Sequence, residues 1–210
     1  MKLKQIFVAA LVALIASGGL FAQGSAKSKT LVVYFSVPES TKTSGLTRNE
    51  ENSLVVIGGK ALGNVQYVAQ IIAEETGSDI WRIEPVDSYP TDHNALLDRA
   101  AKEKRANARP KISGKIANLA DYDTVFVGYP NWNADLPPIL YSFFDDYDLS
   151  GKEIVPFNVH GGSGLSRTVQ TIAKLEPNAT VEKNAFTESR DSVDSCKSRV
   201  IAWLKKIGVK

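Results

Sequence analysis

Two stretches decide the fold of this chain: TVFVGYPNWNADLP at residues 124–137 and EIVPFNVHGGSGLS at residues 153–166. Each stretch begins with β-branched and aromatic residues, which are typical of a buried strand. Each then changes abruptly to Gly, Pro, Asn and an aromatic or imidazole ring. Because open parallel α/β sheets bind ligands beyond the carboxyl ends of their strands, these two strand-end loops predict a ligand site.

Five apolar runs alternate with helical patterns along the chain. The runs predict strands over residues 30–35, 79–83, 123–128, 153–158 and 180–186. Apolar residues at helical spacing predict helices over residues 63–76, 94–108, 137–147, 163–175 and 192–207. Residues 36–60 are polar and are predicted to be a long loop, in which residues 54–57 could form a small strand or hairpin arm. The alternation predicts an α/β fold of three layers, built on a doubly wound parallel sheet of five strands.

The N-terminus has the pattern of a secretory signal peptide. Lys2 and Lys4 precede an unbroken apolar run at residues 6–16, and small residues follow. We therefore predict a signal segment at residues 1–26, cleaved after Ala22 or Ala26, and a single domain at residues 27–210. This order predicts an exported protein, periplasmic or secreted. The alternative is a membrane anchor formed by the uncleaved segment.

The composition excludes several classes of site. Without Lys2 and Lys4 the chain has 23 basic and 23 acidic residues, and this neutrality argues against nucleic acid as a partner. Cys196 is the only cysteine, so the chain has no internal disulfide and no CxxC pair. The two histidines, His93 and His160, lie far from each other and from Cys196 in sequence, and no metal site is predicted.

Three loops are candidates for ligand contacts. The helix after the long loop opens at Gly63 and Asn64, where unpaired N–H groups favour an anion, and Ser36 could add a hydroxyl. The alternative is that Asn64 is an ordinary helix cap. In the second loop Trp132 offers a stacking face for a planar ligand, unless it only packs on the next helix.

The third loop, residues 160–164, is rich in glycine. Its backbone N–H groups could approach a ligand, or Ser163 could simply cap the next helix. A serine hydrolase is disfavoured because Gly161 to Leu165 lacks the last Gly of a G-x-S-x-G elbow. The other histidine also precedes the candidate serine in sequence, whereas the histidine of that triad comes last.

Taken together, these segments resemble the flavodoxin-like, FMN-binding family, and more closely a bacterial subfamily described as flavodoxin or NAD(P)H-dependent oxidoreductase. The carrying segments are LVVYFSVPES, LGNVQYVAQIIAEETG, IEPVDSYPTDHNALLDRAAKEKRANARP, LADYDTVFVGYPNWNADLPPIL and GKEIVPFNVHGGSGLSRTV. The resemblance implies the strand order 2-1-3-4-5, with FMN bound where strands one and three diverge.

The resemblance also implies which residues hold the cofactor. Ser36 and the turn at residues 63–66 would hold the FMN phosphate, and the two strand-end loops would line the isoalloxazine ring. The implied cofactor-binding residues are Ser36, Gly63, Asn64, Val65, Gln66, Tyr129, Pro130, Asn131, Trp132, Asn133, His160, Gly161, Gly162, Ser163 and Gly164.

Three features depart from the family pattern. The ordinary phosphate loop is continuous and reads S/T-x-T-G-N-T, whereas here residues 37–62 split it and Val65 replaces the final Thr. Asn133 and Ala134 stand where the family often has Trp-Gly. Flavodoxins that shuttle electrons are strongly acidic, whereas this domain is formally neutral.

The resemblance implies electron or hydride transfer through FMN, and no catalytic side chain is assigned. One expectation is an oxidoreductase that uses NAD(P)H to reduce a small acceptor. The alternative is an electron carrier or flavin-binding protein that has no small-molecule substrate and acts with a redox partner protein.

Overall fold

The computed structural model describes residues 29–209. The predicted signal segment lies outside these residues, and the predicted domain start at residue 27 is also outside them. Within the described range, no helix has the length and apolarity needed to cross a membrane.

The described chain alternates strands and helices as predicted. The strands are β1 Thr30–Tyr34, β2 Leu54–Ile57, β3 Lys60–Gly63, β4 Asp79–Arg82, β5 Glu84–Pro85, β6 Ile112–Ser113, β7 Thr124–Pro130, β8 Glu153–His160, β9 Thr180–Val181 and β10 Phe186–Ser189. The helices are α1 Asn64–Thr76, α2 His93–Arg105, α3 Pro138–Asp146, α4 Thr168–Leu175 and α5 Lys197–Lys206, with short 3-10 helices at Leu119–Asp121 and Arg190–Ser195.

The main sheet is parallel and has the order β4-β1-β7-β8, with β9 and β10 sharing the fifth position beside β8. This arrangement confirms the predicted flavodoxin-like order 2-1-3-4-5. The order reverses between β1 and β7, so their carboxyl ends diverge there and leave room for a ligand.

The fifth position is interrupted, whereas the sequence predicted one strand over residues 180–186. Thr180–Val181 pairs with the start of β8 and Phe186–Ser189 with its end. The Ile154 carbonyl accepts the Glu182 N–H at 2.9 Å. Backbone groups two residues apart point to the same side of a strand, so the N–H that Pro156 lacks would also have pointed towards the fifth position. The interruption therefore coincides with a residue that has no N–H to offer.

Alternate residues of the central strands fill two separate cores. On one face Val125 and Val127 pack with residues of α2, α3 and α4. On the other face Val32 and Phe126 pack with α1 and α5. This period of two makes the strands apolar on both sides, as the sequence predicted for a sheet covered by two helical layers.

The polar segment after β1 contains an ordered hairpin. Strands β2 and β3 pair antiparallel through a turn at Gly58 and Gly59, whose φ values of 56° and 76° suit the type I′ turns of tight hairpins. The predicted hairpin arm at residues 54–57 is thus confirmed, and β3 leads directly into α1.

Two helices begin later than predicted. The expected helix at residues 163–175 begins only at Thr168, because Gly164 and Ser166 have φ values of 58° and 51°, which no α-helix accommodates. Ser163 therefore does not cap it. The expected helix at residues 192–207 divides into the 3-10 helix Arg190–Ser195 and α5.

Glu176 ends α4 as a buried carboxyl, with 8 % of its surface exposed. Burial, then the charges of Asp148 and Asp145, raise its pKa to about 7. A raised pKa means that the folded state disfavours the ionised form. Ionisation of Glu176 therefore lowers the stability of the fold as the pH rises from about 4.5 to about 7, and the loss stays constant above that pH.

We predict that Glu176→Gln stabilises the protein at pH 8 by about 2 kcal/mol and has little effect at pH 4. The measurement is urea unfolding of both proteins across this pH range. A difference between the two proteins that stays constant with pH would contradict the burial argument.

Candidate functional site

A cavity of about 260 Å³ opens at the carboxyl ends of β1, β7 and β8. It lies where the strand order reverses, as the sequence predicted for the ligand site. Ten of the predicted site residues line it: Ser36, Asn64, Val65, Pro130, Asn131, Trp132, Asn133, His160, Gly161 and Ser163. The structure therefore brings the two strand-end loops and the start of α1 together around one space.

Five predicted residues do not line the cavity: Gly63, Gln66, Tyr129, Gly162 and Gly164. Tyr129 lies on the α3 and α4 face of β7 with no exposed surface, because it shares the strand periodicity of Val127. Its hydroxyl donates to Thr168 Oγ1 at 2.8 Å. Tyr129 is thus part of the core, and it ties β7 to the start of α4.

Gly63 and Gln66 build the start of α1. The Gly63 N–H donates to Gln66 Oε1 at 3.2 Å, so the Gln66 side chain caps the helix instead of facing the cavity. A Cβ at Gly63 would overlap Ser36 Oγ. The glycine is therefore required by the close approach of Ser36, which brings the two ends of the insertion together.

Asn64 joins the insertion to the cavity. Its backbone N–H donates to the Ser53 carbonyl at 2.8 Å, and its Nδ2 donates to the Asn52 carbonyl at 3.2 Å. Its Oδ1 is buried and has no partner within the described residues. Asn64 thus has one acceptor unused, while two of its donors are already bonded.

Asn131 locks the two strand-end loops to each other. Its Nδ2 donates to the Gly164 carbonyl at 2.7 Å and to Ser166 Oγ at 3.2 Å. Its N–H bonds the Val159 carbonyl at 2.9 Å. Its Oδ1 is a second buried acceptor without a partner among the described residues.

Trp132 borders the cavity but is mostly enclosed. It packs edge-to-face against Phe35 and Tyr89, with ring centroids 5.4 and 5.2 Å apart, and only 5 % of its surface is exposed. Most of the ring therefore packs against these two aromatic residues, which belong to neither its own loop nor the next helix. The rest of the ring lines the cavity.

His160 closes the opposite side of the cavity. Its Nδ1 accepts the Gly162 N–H at 2.9 Å, which fixes the glycine-rich loop. Burial lowers the pKa of His160, against the opposing charges of Glu188 and Asp191. The neutral ring can keep this hydrogen bond, and its tautomer then carries the proton on Nε2.

Sequence reasoning missed eight lining residues: Val37, Asn52, Ser53, His93, Leu97, Ala134, Val159 and Arg190. Three of them, Val37, Asn52 and Ser53, belong to the insertion. The buried Glu39 connects this insertion to the start of α2. Its Oε2 accepts the Ser53 N–H at 2.8 Å, and its Oε1 lies 3.3 Å from His93 Nδ1. The sequence of the insertion is polar, but it does not show which of its residues contact α2.

Residues 53–207 match the family model described as Flavodoxin. The chain belongs to the flavodoxin family. No curated protein matches the chain.

Solved structures share the flavodoxin fold. A protein from Bacteroides eggerthii, provisionally named a flavoprotein, is 27 % identical with a TM-score of 0.64, over 87 % of this chain and 99 % of the other. A similarly named protein from Bacteroides uniformis is 24 % identical with a TM-score of 0.60, over 85 % and 98 %. A flavoprotein from Lactobacillus acidophilus in complex with FMN is 17 % identical with a TM-score of 0.57, over 84 % and 98 %.

One departure from the flavodoxin pattern has a visible conformational cost. Trp132 and Asp135 exchange two backbone hydrogen bonds of 3.1 and 3.0 Å around Asn133 and Ala134. These two residues have φ values of 52° and 60°, as in a type I′ turn, whose preferred sequence is Asn-Gly. Asn133 suits this turn, whereas the Cβ of Ala134 is strained in the left-handed region.

We predict that Ala134→Gly stabilises the protein by about 0.5–1 kcal/mol, since relief of the left-handed strain exceeds the entropy that glycine adds to the unfolded chain. The measurement is urea unfolding. The matched control is Ala101→Gly inside α2, which should destabilise by about 1 kcal/mol. Equal destabilisation by both changes would contradict the turn assignment.

Proposed function

We propose that this chain binds FMN and acts as a flavoprotein in electron or hydride transfer. The observation that carries the proposal is the cavity at the point where the strand order reverses, in a chain of the flavodoxin family. The Lactobacillus acidophilus flavoprotein, which has the same fold, supports it because its structure contains FMN. FMN, when bound, supplies transfer through N5 of its ring.

The cavity residues fit FMN in their hydrogen-bonding chemistry. The ribityl hydroxyls and the ring N3–H of FMN are donors, and the buried Oδ1 atoms of Asn64 and Asn131 are acceptors without partners in the described chain. The hydroxyl of Ser36 and the first-turn N–H group of Val65 suit the phosphate end. Trp132 and His160 would then border the ring from opposite loops.

The protein's own part in transfer is to orient the ring and limit its exposure to water. Asn131 fixes the distance between the two loops through its bonds to Gly164 and Ser166. The packing of Trp132 against Phe35 and Tyr89 holds the first loop against the core. Such a preorganised site binds without the cost of ordering its walls.

Two roles are open to an FMN-loaded protein. An oxidoreductase would use NAD(P)H to reduce a small acceptor, and the neutral charge of the domain favours this role, because docking to a protein partner gains from opposite charges. An electron carrier would have no substrate of its own. Export would favour the carrier, since free NAD(P)H is scarce outside the cytoplasm.

We predict that the purified protein binds one FMN per chain, with flavin absorbance bands and a higher unfolding temperature. Ser163→Trp should fill the cavity and abolish both effects. Ser198→Trp, an equal change on the exposed face of α5, should leave them intact. The absence of flavin bands and of any thermal shift in the unmodified protein would overturn the proposal.

Steady-state oxidation of NADH or NADPH by the FMN-loaded protein separates the two roles. Turnover with a quinone or nitro acceptor supports the oxidoreductase. Reversible reduction by dithionite, with no turnover of either nicotinamide, supports the carrier.

We also propose that residues 1–26 direct export to the periplasm or the medium, the alternative being an anchor that holds the domain at a membrane. We expect mass spectrometry of the full-length chain, expressed in a bacterium, to find a mature protein that starts after Ala22 or Ala26. Val12→Asp should leave the precursor uncut, because a charge interrupts the apolar segment. A membrane-bound protein of full length would favour the anchor, and an uncut protein in the soluble cytoplasm would contradict both.

A further inference from the structure

Arg190 is a cavity residue that the family resemblance does not assign. It directly follows β10, at the start of the 3-10 helix Arg190–Ser195. Among the described residues that line the cavity, it alone carries a permanent charge. A fixed cation in a ligand cavity suits an anionic part of the ligand.

The start of α1 has lost part of its capacity to bind an anion. The Asn64 N–H is bonded to the Ser53 carbonyl at 2.8 Å, and the Gly63 N–H is bonded to Gln66 Oε1 at 3.2 Å. Position 65 is a valine, so it offers no hydroxyl. A phosphate monoester carries about −1.5 to −2 charges at pH 7, and a fixed cation beside these remaining donors would strengthen its binding.

The guanidinium of Arg190 is held in place but not engaged. A Cβ at Gly161 would lie 3.0 Å from its central carbon, so the group lies against the backbone of the glycine-rich loop. No side-chain hydrogen bond of Arg190 is present in the described structure, and its ion pair with the exposed Asp191 is 3.9 Å long. Such a long, exposed pair competes weakly with a ligand.

The 3-10 helix that carries Arg190 is packed beside the start of α1. Val193 belongs to the same core cluster as Val55 of β2 and Val65 of α1. The 3-10 helix also contacts β2 and the end of β8, so Arg190 borders both the glycine-rich loop and the region around the start of α1.

We propose that Arg190 supplies the positive charge that binds the phosphate of FMN, in place of the donors that the split loop has lost. This inference rests on the proposed function. The planar guanidinium offers two parallel N–H donors to two phosphate oxygens, which a lysine does not match. A Cβ at Gly161 would shift the guanidinium by a few tenths of an ångström.

The test compares FMN with riboflavin, which lacks the phosphate. Affinities are measured by flavin fluorescence for the unmodified protein and for Arg190→Gln, Arg190→Lys and Arg167→Gln. Arg190→Gln should weaken FMN about 10- to 100-fold, the loss expected for a charge-assisted hydrogen-bonded pair, and leave riboflavin unchanged. Arg190→Lys should be intermediate. Arg167→Gln, an equal charge change at an exposed residue outside the cavity, should have no effect.

Equal weakening of FMN and riboflavin by Arg190→Gln would overturn the inference, as would unchanged affinity for FMN. If Arg190→Gln does not fold, the Arg190→Lys protein decides by the same comparison. If the unmodified protein binds neither flavin, the proposed function fails, and thermal stabilisation by inorganic phosphate decides about Arg190. Stabilisation that Arg190→Gln abolishes would support a phosphate site, and equal behaviour of the two proteins would overturn it.

Discussion

The close packing of Ser36 on Gly63 is the contact on which the site depends. It joins the end of β1 to the start of α1 across an insertion of residues 37–62, with no room for a Cβ between them. Arg82 supports it by donating from Nη2 to the Ser36 carbonyl at 2.9 Å. The two halves of the split loop are therefore held together by packing of the Ser36 side chain on the Gly63 backbone.

The insertion is bonded to the start of α1 and thereby occupies some of the donors there. Its Asn52 and Ser53 carbonyls accept hydrogen bonds from Asn64, and the buried Glu39 holds Ser53 in place. The two bonds from Asn64 use donors that a free helix start would offer to an anion. Burial raises the pKa of Glu39, although its hydrogen bonds act against this effect. The same contacts therefore keep the insertion folded and reduce the number of free donors at the cavity.

The sequence was sufficient to predict the sheet and two of the cavity walls, because strand periodicity and glycine-rich strand ends are local signals. It failed for Tyr129, whose neighbours in sequence line the cavity, since only the strand register shows which face it occupies. It also failed for Arg190 and His93, which reach the cavity through tertiary packing. Residues 163–167 were expected to be helical, because the composition of this segment does not predict the positive φ values that Gly164 and Ser166 adopt.

The interrupted fifth position of the sheet affects what can happen at that edge. A free edge strand is a template for pairing with another chain. Here the segments Thr180–Val181 and Phe186–Ser189 present two short rows of backbone groups instead of one long row. A second molecule could align with only one row at a time. The interruption beside the proline in β8 therefore leaves less continuous backbone for such pairing than one long strand would.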